Sequence, residues 1–126
     1  MIRYAYTPYS GSPGPFVHVT IRDPNTGVAS GEIPAQIDSA ADRTVVPGSV
    51  VEALGLVQSG SVLVAGLGSM VQSCPTYITE VAVRKLASVT VKVIRADGEP
   101  HVLLGRYVLN KFRTLLDGPN LLLEMD

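Results

Sequence analysis

Ile33-Pro34-Ala35-Gln36-Ile37-Asp38-Ser39-Ala40-Ala41-Asp42-Arg43-Thr44-Val45-Val46-Pro47 is the most informative stretch of this chain. An apolar, strand-like run delivers one aspartate, Asp38, into three small residues. Short side chains there let a second copy of the loop, or the backbone of a bound peptide, approach the carboxylate closely. The same residues also suit an Asx turn, in which the aspartate caps its own backbone on the protein surface. Taken alone, the stretch leaves both readings open.

Upstream of it, Phe16 to Arg22 alternates Val17, Val19 and Ile21 with His18, Thr20 and Arg22, the period of a half-buried strand. Asp23-Pro24-Asn25-Thr26-Gly27 reads as a turn, and Val28 to Ile37 as the returning strand of a hairpin. Ile2 to Tyr6 alternates weakly before Pro8, and Ser10 to Pro15 is a loop by composition. Downstream, Ser49 and Glu52 have the spacing of a capping box, and Gly55 suits a left-handed helix stop. One short helix is therefore expected from Pro47 to Gly55. Val57 to Val64 and Val71 to Val83 predict strands around a loop, Ala65-Gly66-Leu67-Gly68-Ser69. Val89 to Val93 and Val102 to Leu104 predict two more. Tyr107 to Phe112 suits a second short helix, with Leu115-Leu116, a turn at Asp117 to Asn120 and a last strand from Leu121 to Met125.

With 126 residues the chain fits one domain, 1–126, able to bury a core without disulfide or metal. Val, Ile and Thr make up about a quarter of it, interrupted by 12 glycines and 9 prolines, which points to an all-β protein of short strands. A net charge of −1 gives no footprint for nucleic acid or for an acidic membrane face. No apolar run approaches a membrane span, and Met1-Ile2-Arg3-Tyr4 does not open a signal peptide, so a cytoplasmic setting is expected. A single cysteine and two histidines make neither an internal disulfide nor a zinc cluster, and no cofactor or metal is expected. There is no G-x-S-x-G elbow, neither His18 nor His101 sits in a triad pattern, and Gly66-Leu67-Gly68 is half a dinucleotide fingerprint outside any βαβ unit. Cys74 precedes Pro75 without a basic neighbour and reads as an inert thiol.

Two motifs in order resemble those of the retroviral-type aspartic proteases, the retropepsins, and their single-domain bacterial relatives. The family pattern apolar-Asp-Ser/Thr-Gly-Ala is matched by Ile37-Asp38-Ser39-Ala40-Ala41. The second pattern, two apolar residues followed by Gly-Arg and a short helix, is matched by Leu103-Leu104-Gly105-Arg106-Tyr107-Val108. Between them lies a glycine-containing hairpin, and the likeness runs from about Phe16 to Met125. The resemblance implies a small closed β-barrel of the retropepsin-like acid protease fold with one or two short helices.

It further implies roles for individual positions. Asp38 becomes the catalytic carboxylate, within an active-site loop of Ser39, Ala40 and Ala41, and Ser39 bonds across to a second loop. Asp42 and Arg106 form an ion pair tying that loop to the C-terminal helix. Gly66, Leu67 and Gly68 form the tip of a flap over the substrate. The catalytic unit of such enzymes needs two aspartates, and the chain carries one such motif, so the implied partner is a second copy of itself, with Met1 to Tyr6 and Leu121 to Met125 interleaved at the interface. The implied activity is peptide-bond hydrolysis on a peptide or protein substrate. Ala40 departs from the family glycine and Tyr107 from the acidic or amide residue frequent after Gly-Arg in bacterial relatives. Ala40 therefore sets up an alternative, a peptide-binding or dimerisation module without turnover. An unrelated small β-barrel with an incidental Asp-Ser turn is the third possibility.

Overall fold

The computed structural model describes residues 1–8 and 11–126. Its strands are β1 (Ile2–Ala5), β2 (Phe16–Arg22), β3 (Ile33–Ile37), β4 (Val45–Pro47), β5 (Gly60–Ala65), β6 (Val71–Val83), β7 (Val89–Ala96), β8 (Val102–Leu104), β9 (Thr114–Asp117) and β10 (Leu122–Met125). Two short helices join them, α1 (Gly48–Leu54) and α2 (Arg106–Leu109). The expected loop from Ser10 begins outside the described residues. Thr7 and Gly14 pinch its ends together through a pair of backbone hydrogen bonds at 2.8 and 3.0 Å.

Seven strands form one sheet in the order β2-β3-β8-β4-β7-β6-β5, and β2 also pairs with β6, so the ladder returns on itself. The expected closed barrel is nevertheless not reached. Strand β4 is three residues long and meets β8 at a single pair, Val45↔Leu103, while β5 stands outside the ring. The alternation that predicted β2 is the one that fills the core: Val17, Val19 and Ile21 are fully buried and pack with Val46, Val81, Val83, Val93, Val102 and Leu104. Burying each such side chain contributes roughly 1.5–3 kcal/mol relative to leaving it in water.

Two expectations need correction. The return strand from Val28 is interrupted: Ala29 bridges Arg22 at the end of β2, Ser30 Oγ accepts the Ile21 N–H at 2.9 Å while Ser30 N–H donates to the Ile21 carbonyl, and the regular ladder resumes over Ile33 to Gln36. The Ser49/Glu52 capping box does not form. Pro47 is the N-cap of α1 without a side-chain cap, and the Glu52 carboxylate is taken by Arg95 at 2.8 Å. Gly55 does end α1 in the left-handed region, at φ 64°. Strand β1 pairs along its whole length with β10 of its own chain, and β9 pairs with β10 on the other side. The chain ends form a three-stranded sheet within one copy.

Strand β8 lies between β3, which leads into the Asp38 loop, and β4, which leaves it. That placement brings the two sequence motifs together. Among the described residues no helix is long and apolar enough to cross a membrane.

Candidate active site

Asp38 leaves β3 at its parallel contact with β8, where Ile37 lies opposite Leu104. The Asp38 N–H continues that ladder, donating to the Leu104 carbonyl at 3.1 Å. The chain then reverses. Ala41 N–H donates to the Asp38 carbonyl at 3.2 Å, and Ala40 N–H donates to Asp38 Oδ1 at 3.2 Å. This is the geometry of an Asx turn, so the two readings left open by the sequence share one conformation. The backbone amide fixes the carboxylate, and among the described residues no cation forms an ion pair with it. Alternation along β3 sends Ala35 into the core and sets Gln36 and Asp38 on the opposite side.

The described non-glycine residues with positive φ are Ser69, Arg84 and Leu121. Ala40 is not among them, so its methyl group imposes no left-handed strain where the family pattern has glycine. Ser39 and Ala40 are exposed and Ala41 is half-buried.

The start of α2 grips this loop from below. Arg106 N–H donates to the Ala41 carbonyl and Tyr107 N–H to the Asp42 carbonyl, both at 2.9 Å. Gly105 N–H donates to Thr44 Oγ1 at 3.0 Å, inside the protein. Gly105 has to be glycine here, since a Cβ would lie 2.5 Å from the carbonyl carbon and oxygen of Arg43. The Asp42–Arg106 ion pair is absent from the single chain. Arg106 Nη1 donates instead to the Ser39 carbonyl at 2.8 Å, and Asp42 Oδ1 accepts the adjacent Arg43 N–H at 2.8 Å. Both side chains line a shared pocket of about 330 Å³ with Tyr107 and Asn110, but the tie between loop and helix is made through main-chain groups.

The β5–β6 hairpin carries the other predicted residues. Gly66 N–H donates to the Met70 carbonyl at 2.8 Å, closing a tip whose 3-10 turn runs over Leu67–Ser69, with Gly68 at φ 74°. Leu67 is 97% exposed and Met70 75%, an apolar tip with nothing packed on it in one chain. A cleft of about 400 Å³ joins the Asp38 loop to this hairpin, walled by Ala40, Ala41 and Arg43 on one side and Val62 and Val64 on the other. A second space of about 350 Å³ opens under the tip, against Val45, Cys74 and Ile94. The loop that follows Asp38 and the stem of the hairpin thus line one cleft, and Gly66 and Leu67 at the tip line the neighbouring space.

Thr44 was not singled out from the sequence, although it links the two motifs. Its signal was a hydroxyl at the entrance to an apolar run, where a buried polar group must find a partner. His101, set aside for want of a triad, faces Gln36 at 3.1 Å and meets Phe16 edge-on at 4.8 Å between centroids.

A ring of short strands, an aspartate-bearing loop clamped by a glycine-arginine turn and an overhanging hairpin together define the retropepsin-like class of fold. The family model described as aspartyl protease matches residues 17–108, and the chain belongs to that family. No curated protein matches it significantly. Among solved structures it is similar to a retropepsin-like aspartic protease from Rickettsia conorii, with TM-score 0.64 and 17% identity, covering 97% of this chain and 86% of that one. It is also similar to the EIAV protease, with TM-score 0.56 and 21% identity over 83% and 93% of the two chains. The retroviral protease-like domain of Ddi1 from Leishmania major aligns with TM-score 0.57 and 16% identity over 90% and 88%.

Proposed function

We propose that residues 1–126 form one protease domain that works as a homodimeric aspartic endopeptidase, with the dyad made of Asp38 from each of two copies. The observation that carries this reading is the Asp38 carboxylate, held by the Ala40 N–H at 3.2 Å in a loop whose Ala40 and Ala41 line a cleft shared with Val62 and Val64 of the β5–β6 hairpin.

Two carboxylates brought within a few ångström cannot both ionise, so they hold one proton between them and titrate as a pair. The ionised member removes a proton from a water placed between them, and the water oxygen attacks the peptide carbonyl carbon. The protonated member donates its proton to the carbonyl oxygen, giving a neutral tetrahedral diol. Collapse breaks the C–N bond as a carboxyl group delivers a proton to the leaving nitrogen. In this reading Ser39 bonds across to the partner loop, Arg106 positions that loop through the Ser39 carbonyl, and Gly66 to Gly68 close over the substrate. An extended peptide lies in the cleft as an added strand.

Peptide-library cleavage read by mass spectrometry from about pH 4 to 7.5 tests the assignment, since the titration of a shared-proton pair predicts a bell-shaped profile. Wild type is expected to cut, and Asp38→Asn to fold normally without cutting. An undiminished rate in Asp38→Asn removes Asp38 from the mechanism. Peptide binding without product, by a folded dimer at every pH, supports instead the module without turnover that Ala40 suggested.

A further inference from the structure

The chain has seven arginines, and six of them meet an oxygen. Arg3, Arg22, Arg84, Arg95 and Arg113 each face a carboxylate, at 2.7 to 3.7 Å, and Arg106 donates to the Ser39 carbonyl. Arg43 is the exception. Among the described residues no carboxylate or carbonyl receives its guanidinium, which lies over the exposed Tyr107 ring, 5.4 Å from the centroid. A ring contact at an exposed site is a weak hold and leaves the in-plane N–H donors for another acceptor. Yet Arg43 does not stand out in solvent. It is half-buried and lines the cleft of about 400 Å³ beside Val45, Val62, Val64 and Ile94. The other charged residues lining that cleft, Asp42 and Arg106, already have main-chain partners.

We propose that Arg43 determines specificity by receiving the carboxylate of an acidic side chain of the bound peptide. This rests on the protease reading above and names its substrate class, a peptide with glutamate or aspartate set among apolar residues near the cut. A guanidinium and a carboxylate match as a two-pronged fork, and one uncommitted positive charge suits one negative charge. The valine and isoleucine walls exclude water from around the pair, which strengthens the attraction, and they cover the methylene groups of the incoming side chain. The adjoining space under the hairpin tip is lined by Glu99 instead, so an acid placed there meets like charge. The acidic preference is therefore confined to the positions that reach Arg43. Each copy of the chain brings one Arg43, so a homodimer offers one such position on either side of the cut.

The test uses fluorescein-labelled peptides of apolar residues in which each position in turn is Glu, Gln or Lys. Cleavage is read as kcat/KM by mass spectrometry, and binding by fluorescence anisotropy on Asp38→Asn protein, which leaves the probe intact. Wild type is expected to prefer Glu over Gln by about tenfold or more at the positions that reach Arg43, the scale of a hydrogen bond to a charged group. That preference should shrink as salt is raised. It should vanish in Arg43→Met, with folding checked by circular dichroism. In Arg43→Glu it should turn into a preference for Lys, a reversal that a merely structural role would not produce. Cleavage by wild type at equal rates for Glu and Gln peptides overturns the proposal while the protease reading stands, and so does a Glu preference that survives in folded Arg43→Met. Binding that favours Glu through Arg43, with no product from wild type, upholds the proposal while the protease reading fails. Peptides neither bound nor cut overturn both.

Discussion

The Gly105 N–H and the Thr44 hydroxyl meet at 3.0 Å in the protein interior, joining the two halves of the site at a point where no side chain larger than hydrogen fits on residue 105. Thr44→Val keeps the shape and leaves that amide without a partner, which costs about 1–3 kcal/mol. Gly105→Ala forces a methyl group against the Arg43 carbonyl, and overpacking of this kind costs about 1–3 kcal/mol or more. Urea denaturation of both variants measures this; midpoints equal to wild type contradict the clamp.

Asp42 and Arg106 act separately in the chain, since each has its own main-chain partner. A double-mutant cycle on stability with Asp42→Asn and Arg106→Ala is expected to be additive to within about 0.5 kcal/mol. Cleavage should respond unequally, with Arg106→Ala losing tenfold or more because the Ser39 carbonyl is released. A coupling well above that limit would restore the ion pair that the sequence suggested.

Ala40 lies outside the positive-φ region, so replacing it relieves no backbone strain. Ala40→Gly is expected to lower stability by about 0.4–1 kcal/mol through the added freedom of the unfolded chain. Any change in cleavage rate should stay within a few-fold. A gain of a hundredfold or more would identify the methyl group itself as an obstacle to turnover.

Burial raises the Tyr4 phenol above its usual range, opposed by its hydrogen bond with the His18 amide and by the nearby Arg84 charge. The folded state therefore holds this proton to higher pH than the unfolded state, whose tyrosines ionise near pH 10. The stabilisation is complete below about pH 10 and is lost as pH rises through the folded value. Unfolding curves from pH 8 to 11 should fall more steeply for wild type than for Tyr4→Phe, and parallel curves contradict the burial of Tyr4.

Where a side-chain period governed the chain, the fold was legible. The alternation of Val17, Val19 and Ile21 marked β2 to the residue, and the segment read as a strand from Val71 to Val83 is β6 in full. Strand β4 escaped because three residues ending at Pro47 are too few for a period to show. The capping box failed because Glu52 found a stronger partner, Arg95, brought by a strand distant in sequence. The Asp38 loop and the Gly105-Arg106 turn were legible as motifs. That they are stitched together by backbone amides and Thr44, rather than by Asp42 and Arg106, depends on three-dimensional register that no spacing encodes. The pairing of β1 with β10 has the same origin, since the residues at each chain end suit a partner in the same chain or in another equally well.

The most direct test of the central claim, one Asp38 from each of two chains, is cleavage by mixtures of wild type and Asp38→Asn at constant total concentration, after exchange of subunits. A shared dyad predicts that the rate falls as the square of the wild-type fraction, because mixed dimers hold a single carboxylate. A rate that falls in simple proportion to the wild-type fraction would show that each chain acts alone and would contradict the account.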